Sequence, residues 1–175
     1  MKKLLISGAV MSSLYGCAVS PELQHSPQPL SQVIQVVEIN GQSKDKLFDA
    51  SKIWVAKAFK SSNNVVQYAD KESGSIIGKG NIQFPCEGFI DCGAFGSDRV
   101  NFTIKIDTKD NRARLSFLDI TRTPLTYVKG GLNHNIGKEI PITQVKQQQQ
   151  VKLKLESIID QYKTDVLKQQ SDNSW

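Results

Sequence analysis

At 175 residues, with 39% apolar and 22% charged side chains and few long like-charge blocks, the chain suits one globular domain plus extensions, which excludes a wholly disordered protein. Its formal charge of +5 falls to +3 once Lys2 and Lys3 of a leader are set aside, and the other basic residues are scattered, with no arginine cluster among aromatics. Nucleic acid demands a concentrated basic stripe, so no nucleic-acid partner is expected.

Met1-Lys2-Lys3, an apolar stretch over residues 4–15 and then Gly16 make the three parts of an export signal. As a helix, residues 4–15 would rise only about 18 Å, short of a hydrocarbon core of about 30 Å, so a cleaved leader fits better than a spanning helix. Its end, Leu14-Tyr15-Gly16-Cys17, resembles the lipobox of bacterial lipoproteins, with Leu three residues before the cysteine and a small residue just before it. Tyr15 is bulkier than the residue usual at its place. The resemblance implies that Cys17 takes a diacylglycerol, that the signal peptide 1–16 is removed and that the new amine is acylated. Two or three acyl chains hold a membrane stably where one is marginal. Ala18 stands where an Asp would retain a lipoprotein at the inner membrane, which points to the outer membrane. Residues 17–31, with Pro21, Pro27 and Pro29, read as a tether from this anchor. The fourteen residues after Cys17 would reach about 43 Å at ~3.1 Å per residue, enough for the domain to hang clear of the membrane. His25 lies in the tether without a ligand-type neighbour and reads as solvated.

The folded domain is expected over 32–170, with a tail at 171–175. QVIQVVEI (32–39) is β-rich and apolar on both faces, which suggests a central strand. After Gly41 a helix is expected, capped by Ser43, with Asp45 at its positive end and Leu47, Ala50, Trp54, Val55 and Ala58 at helical spacing. Residues 64–70 and 75–84 read as a hairpin around Lys71-Glu72-Ser73-Gly74. PCEGFIDCG then brings Cys86 and Cys92. An exported chain meets an oxidising compartment, and with Cys17 acylated an even pair remains, so these two are expected to close a disulfide. The closure is worth roughly 2 kcal/mol in chain entropy. The clearest strand is RVNFTIKID (99–107), where Val100, Phe102, Ile104 and Ile106 alternate with polar residues. A turn at 108–111 leads into RARLSFLDIT, whose apolar phase slips near Phe117-Leu118, the mark of a bulge. Residues 122–143 hold Pro124, Gly130, Gly131, Gly137 and Pro141 and read as a long loop. The last segment is a long helix with a stripe of Val151, Leu155, Ile158, Tyr162 and Val166.

The order β-α-β-β-β-β-α implies an α+β domain: an antiparallel sheet of about five strands, two helices on one face and the other face wet. The segment from Val36 to Phe84 resembles a bacterial domain family of unknown function assigned a TATA-binding-protein-like (TBP-like) fold, common in exported proteins and lipoproteins. The strand ending before Gly41, Ser43-Lys44-Asp45 opening the helix, Trp54 within it, and Asp70-Lys71-Glu72 with Gly74 and Ile76-Ile77-Gly78-Lys79-Gly80 carry the likeness, which extends over about 33–122. It implies the same β-α-β-β-β-β-α arrangement and brings no catalytic residues.

Candidate chemistry is sparse. GSIIGKG (74–80) fails as a phosphate loop, because three residues, not four, separate Gly74 from Gly78 and Gly80 stands where Ser or Thr should hold magnesium. Its glycines are better read as letting Trp54 or another large helix side chain approach the sheet. Asp70, Glu72, Asp107, Asp110 and Asp119 fall mostly at turns, and His134 has no nominated nucleophile, so neither an enzyme nor a cofactor or metal site is expected. Phe89, Ile90 and Phe95 stand out in the cysteine loop. Either they fold back over the sheet end and complete the core, or they form a rigid apolar tip for a partner. The expected role is a non-enzymatic envelope lipoprotein, membrane-held, whose domain binds a protein or envelope polymer. A small-ligand or lipid-handling module with an apolar pocket, and an inhibitor of an attacking hydrolase, are the alternatives.

Overall fold

Alternation at 99–107 builds the middle of the molecule. In the computed structural model, which describes residues 24–59, 66–125 and 135–172, Val100, Phe102, Ile104 and Ile106 are all buried on one face. The elements run β1 (Gln32–Glu38), α1 (Lys44–Ala58), β2 (Val66–Asp70), β3 (Ser75–Gln83), α2 (Gly88–Phe95), β4 (Arg99–Lys109), β5 (Arg112–Thr123) and α3 (Val145–Asp172). The strands form one antiparallel sheet in the order β1-β5-β4-β3-β2. The α+β architecture is as expected, with α2 as a third helix that the expected order lacks.

Local chemistry accounts for the element ends. Ser43 caps α1 by accepting the Lys46 N–H at 3.4 Å, and Asp110 accepts the Lys44 N–H at 2.7 Å. The β2–β3 turn is held by Asp70, whose carboxylate accepts the Glu72 N–H at 3.0 Å. Gly74 closes that turn with φ +70, and a Cβ there would meet the Thr108 carbonyl at 2.8 Å, so only glycine fits. The bulge foreseen near Phe117-Leu118 lies just beyond it. Asn101 pairs with Thr121 but Thr103 pairs with Leu118, so β5 carries one extra residue, and Asp119 takes φ 54.

Leu47, Phe48, Ala50, Ser51, Trp54 and Val55 of α1 are buried, as are Val151, Leu155, Ile159, Tyr162 and Val166 of α3. Both stripes join the buried face of the sheet in one core. Ile159, not Ile158, holds the central α3 position, and Ala58 is exposed while Phe59 turns inward. The close approach expected at the β3 glycines is made by Phe59 and Phe102, not Trp54. A Cβ on Gly80 would come within 2.9 Å of the Phe102 ring and 3.4 Å of Phe59. Trp54, Phe59, Phe102 and Phe117 continue as a chain of edge-to-face rings with centroids 4.9–5.7 Å apart, and Tyr162 joins at Trp54 at 5.0 Å.

Two expectations change. β1 is an edge strand, not a central one, and only Val33 and Val37 of it are buried, while Ile34 and Val36 are half-exposed on the open face. Much of the segment read as free tether is also fastened to the domain. Gln24 accepts the Val145 N–H at 2.9 Å, the Ser26 N–H reaches the Thr143 carbonyl at 2.8 Å, and the Leu30 N–H reaches the Ile142 carbonyl at 3.0 Å. His25 stays exposed, as read, yet its Nδ1 lies 3.2 Å from the Thr143 hydroxyl. Cys17, His134 and the leader lie outside the described residues.

Candidate docking site at helix α2

The turn between β3 and β4 is expanded into residues 84–98, which contain α2. Gly88 and Gly93 make this a poor helix by propensity, and it is held from outside. Cys86 and Cys92 form the expected disulfide, with their Cα atoms 4.9 Å apart. Asp91 accepts the N–H of Glu87 at 2.8 Å, closing the N-terminal turn, and also accepts the Gln150 side-chain amide at 2.8 Å, tying α2 to α3. At the other end Phe95 tilts against the buried Phe84, with centroids 5.7 Å apart. The Arg122 guanidinium lies over Phe95 at 4.9 Å and pairs with the buried Asp98 at 3.2 Å. Asp98 accepts the Leu125 N–H at 2.8 Å as well. Burial pushes Arg122 down from its ordinary value, and the Asp98 charge opposes this.

The three apolar residues singled out in the sequence therefore part company. Phe95 folds back and joins the core margin. Phe89 and Ile90 point away from it, 95% and 87% exposed, on a helix with no buried residue. A groove of about 580 Å³ opens beside them, lined on one side by Phe89, Ile90 and Ala94 and on the other by Gln144, Lys146 and Gln147 at the start of α3. The Gln147 amide is buried there with its Nε2 unpartnered. Neither α2 nor its contact with the first turn of α3 was foreseen. The only sequence signal was the Asp91–Phe95 spacing of one helical turn, which two glycines obscure.

The carboxylates have structural posts. Asp107 sits on the open face of the sheet between Lys105 at 3.0 Å and Arg114 at 2.8 Å, with the Ser75 hydroxyl donating at 2.7 Å. Burial works to raise its pKa, but the bonds from Arg114, Ser75 and Lys105 hold it below the ordinary carboxylate value. Asp119 accepts from Thr103 at 3.0 Å. Residues 74–80 run from the turn into β3 and open no helix of their own, as a phosphate loop would. Among the described residues no group of three or more His, Cys, Asp or Glu is placed to hold a metal ion, and no helix is long and apolar enough to cross a membrane.

The family model described as a domain of unknown function (DUF4468) with TBP-like fold matches residues 34–123, close to the 33–122 over which the likeness was read. The chain belongs to the DUF4468 family. Solved structures share the fold, among them the following two. A TBP-like protein from Parabacteroides distasonis is 17% identical with a TM-score of 0.60, the match covering 78% of this chain and 92% of that one. A DUF4468 family protein from Bacteroides ovatus is 18% identical with a TM-score of 0.51, covering 85% and 90%. No curated protein matches the chain significantly. At these identities the likeness speaks for the fold alone, and the DUF4468 domain brings no assigned site.

Proposed function

We propose that this DUF4468 chain is a non-enzymatic lipoprotein of the cell envelope, held in the outer membrane through acylated Cys17, whose folded domain docks through the outer end of α2. The observation that carries the docking role is the pair Phe89 and Ile90, left 95% and 87% exposed on a helix fixed by the Cys86–Cys92 disulfide and by Phe95. Apolar side chains held rigidly in contact geometry lose little entropy on binding, which favours them as anchors. The anchoring role rests on Leu14-Tyr15-Gly16-Cys17 and the export leader before it. A pocket for a small ligand between helices and sheet is disfavoured, because Trp54, Phe59, Phe102, Phe117 and Tyr162 fill that layer.

Photo-crosslinking in cells from positions 89 and 90, with position 68 on β2 as control, tests the docking role. Adducts to an envelope component from 89 or 90 and not from 68 are expected, and their absence from both would remove α2 as the docking element. Mass spectrometry of the mature N-terminus tests the anchor separately. A diacylglyceryl cysteine at residue 17 is expected, and an unmodified thiol there overturns it.

A further inference from the structure

We infer that the surface on which α2 docks is the lipid surface of the membrane that holds Cys17, an inference that rests on the anchored reading above. Topology brings the two attachments together. β3 ends and β4 begins at one end of the sheet, where Gln83 pairs with Arg99 and Arg99 with Thr123, and α2 is built between those strand ends. β1 begins midway along β5, with Gln32 opposite Leu118, and the chain before it continues toward that end, the Ser31 carbonyl accepting the Ile120 N–H at 3.2 Å. The chain before it stays there as well. Gln24 is bonded to Val145, and His25 pairs with Gln144, which lines the groove against α2. Only seven residue steps then separate Gln24 from Cys17. Fully extended they span about 22–25 Å, roughly half the reach of the tether read from sequence. An anchor at Cys17 therefore draws this end of the domain, and no other, onto the bilayer.

That end is also apolar at its surface. Phe89 and Ile90 project from α2, and Leu125 and Ile136 are 45% and 40% exposed beside it, joined through the Leu125 N–H to Asp98 and the Gly137 N–H to the Pro124 carbonyl. The charged residues lining the groove beside it are Glu87 and Asp91 against Lys146, with no basic excess. The contact is therefore apolar insertion at the headgroup–acyl boundary, in the manner of interfacial side chains, and not attraction to anionic lipid. Acyl chains hold the protein in the membrane, and α2 holds the domain down on it.

The test uses the mature acylated chain in vesicles of phosphatidylethanolamine and phosphatidylglycerol, with Ile90→Trp as reporter and the unsubstituted chain as background for Trp54 and Trp175. The position-90 emission is expected to shift to the blue and to be quenched by lipids brominated high on their acyl chains. Adding Phe89→Asp cuts the membrane-contacting share by about tenfold, and changing the anionic lipid fraction leaves it unaltered. Both side chains are outside the core, so a melting curve like that of the unsubstituted chain confirms that the fold is intact. Water-like, unquenched emission from position 90 overturns the inference. If position 89 meanwhile crosslinks to a protein in cells, the docking role stands with a protein partner; if it crosslinks to nothing, both fall.

Discussion

Tyr162 is fully buried and places its hydroxyl 2.7 Å from Ser51, which itself donates to the Leu47 carbonyl. Burial pushes the phenol up to about 12 from an ordinary 10.0, only partly offset by the Ser51 bond. A folded pKa above the unfolded one means the contribution is complete below pH 10.0 and is lost as pH rises through about 12. The protein should therefore lose on the order of 2–3 kcal/mol across that alkaline window. Tyr162→Phe should cost about 1 kcal/mol at neutral pH, since Ser51 keeps its bond to Leu47, and should flatten the alkaline decline. Urea unfolding at pH 8 and pH 11 checks both. Gly80 poses the opposite problem, one of space. Its missing Cβ is where the Phe102 ring lies, 2.9 Å from the ideal position, so Gly80→Ala should destabilise by about 1–3 kcal/mol. Adding Phe102→Leu should recover part of that loss in thermal melts, because the smaller side chain vacates the clash. Sequence read a glycine here as admitting Trp54 or another large helix side chain, and Phe59 at the end of α1 is that side chain, with Phe102 of β4 beside it. Trp54 instead turns to Tyr162 and to Asp165, whose carboxylate accepts its indole N–H at 3.1 Å.

Strands of period two were the most legible elements, because Val100, Phe102, Ile104 and Ile106 state their face without outside help. The bulge was legible for the same reason, as a break in phase. What failed was information that is not local. Ile34 and Val36 look like the second buried face of a central strand, yet β1 pairs only with β5, and nothing within seven residues reports the missing neighbour. Likewise Phe89 and Phe95 are equivalent by composition, and only Phe84 and Arg122, contributed by other elements, decide which one turns inward. On the open face, Asp107 joins β3, β4 and β5 through Ser75, Lys105 and Arg114. Its folded pKa is lowered, so its contribution is present above the ordinary carboxylate range and is lost as pH falls through the folded value. Asp107→Asn should cost about 1–2 kcal/mol at pH 7, allowing for the solvent around Lys105 and Arg114, and the gap to wild type should close on acidification. The α2 segment has three supports: the disulfide, the Asp91 bonds to Glu87 and Gln150, and Phe95 against Phe84. Removing the disulfide with Cys86→Ser and Cys92→Ser should cost roughly 2 kcal/mol. Amide exchange should quicken over residues 87–94 while that of β4 stays slow, since Phe95 and the Asp98–Arg122 pair still hold the base of the helix.

Across the whole molecule the decisive contact is the fastening of residues 24–30 along 142–145, because it converts a long leash into a short one. A domain on a leash of about 43 Å would sample every orientation above the bilayer; one on about 22 Å, leaving from the α2 end, would not. Acylation and the α2 contact then have separable effects on two observables, retention and height. A Cys17→Ala chain made without residues 1–16 should not be retained in the membrane fraction, because the small apolar tip alone does not replace two or three acyl chains. Phe89→Asp with Ile90→Asp should leave it in that fraction but let the domain lift. The lift is measurable as energy transfer between a dye at position 105, on the open face of β4, and an acceptor in the headgroups. Without the tip the transfer should fall only to the limit set by the seven residue steps from Cys17 to Gln24, and twelve Gly/Ser residues inserted after Ser20 should lower it further. In the chain with Phe89 and Ile90 intact, the same insertion should change the transfer little, because the tip and not the leash sets the height. A large drop in that chain would mean that α2 contributes nothing to holding the domain down.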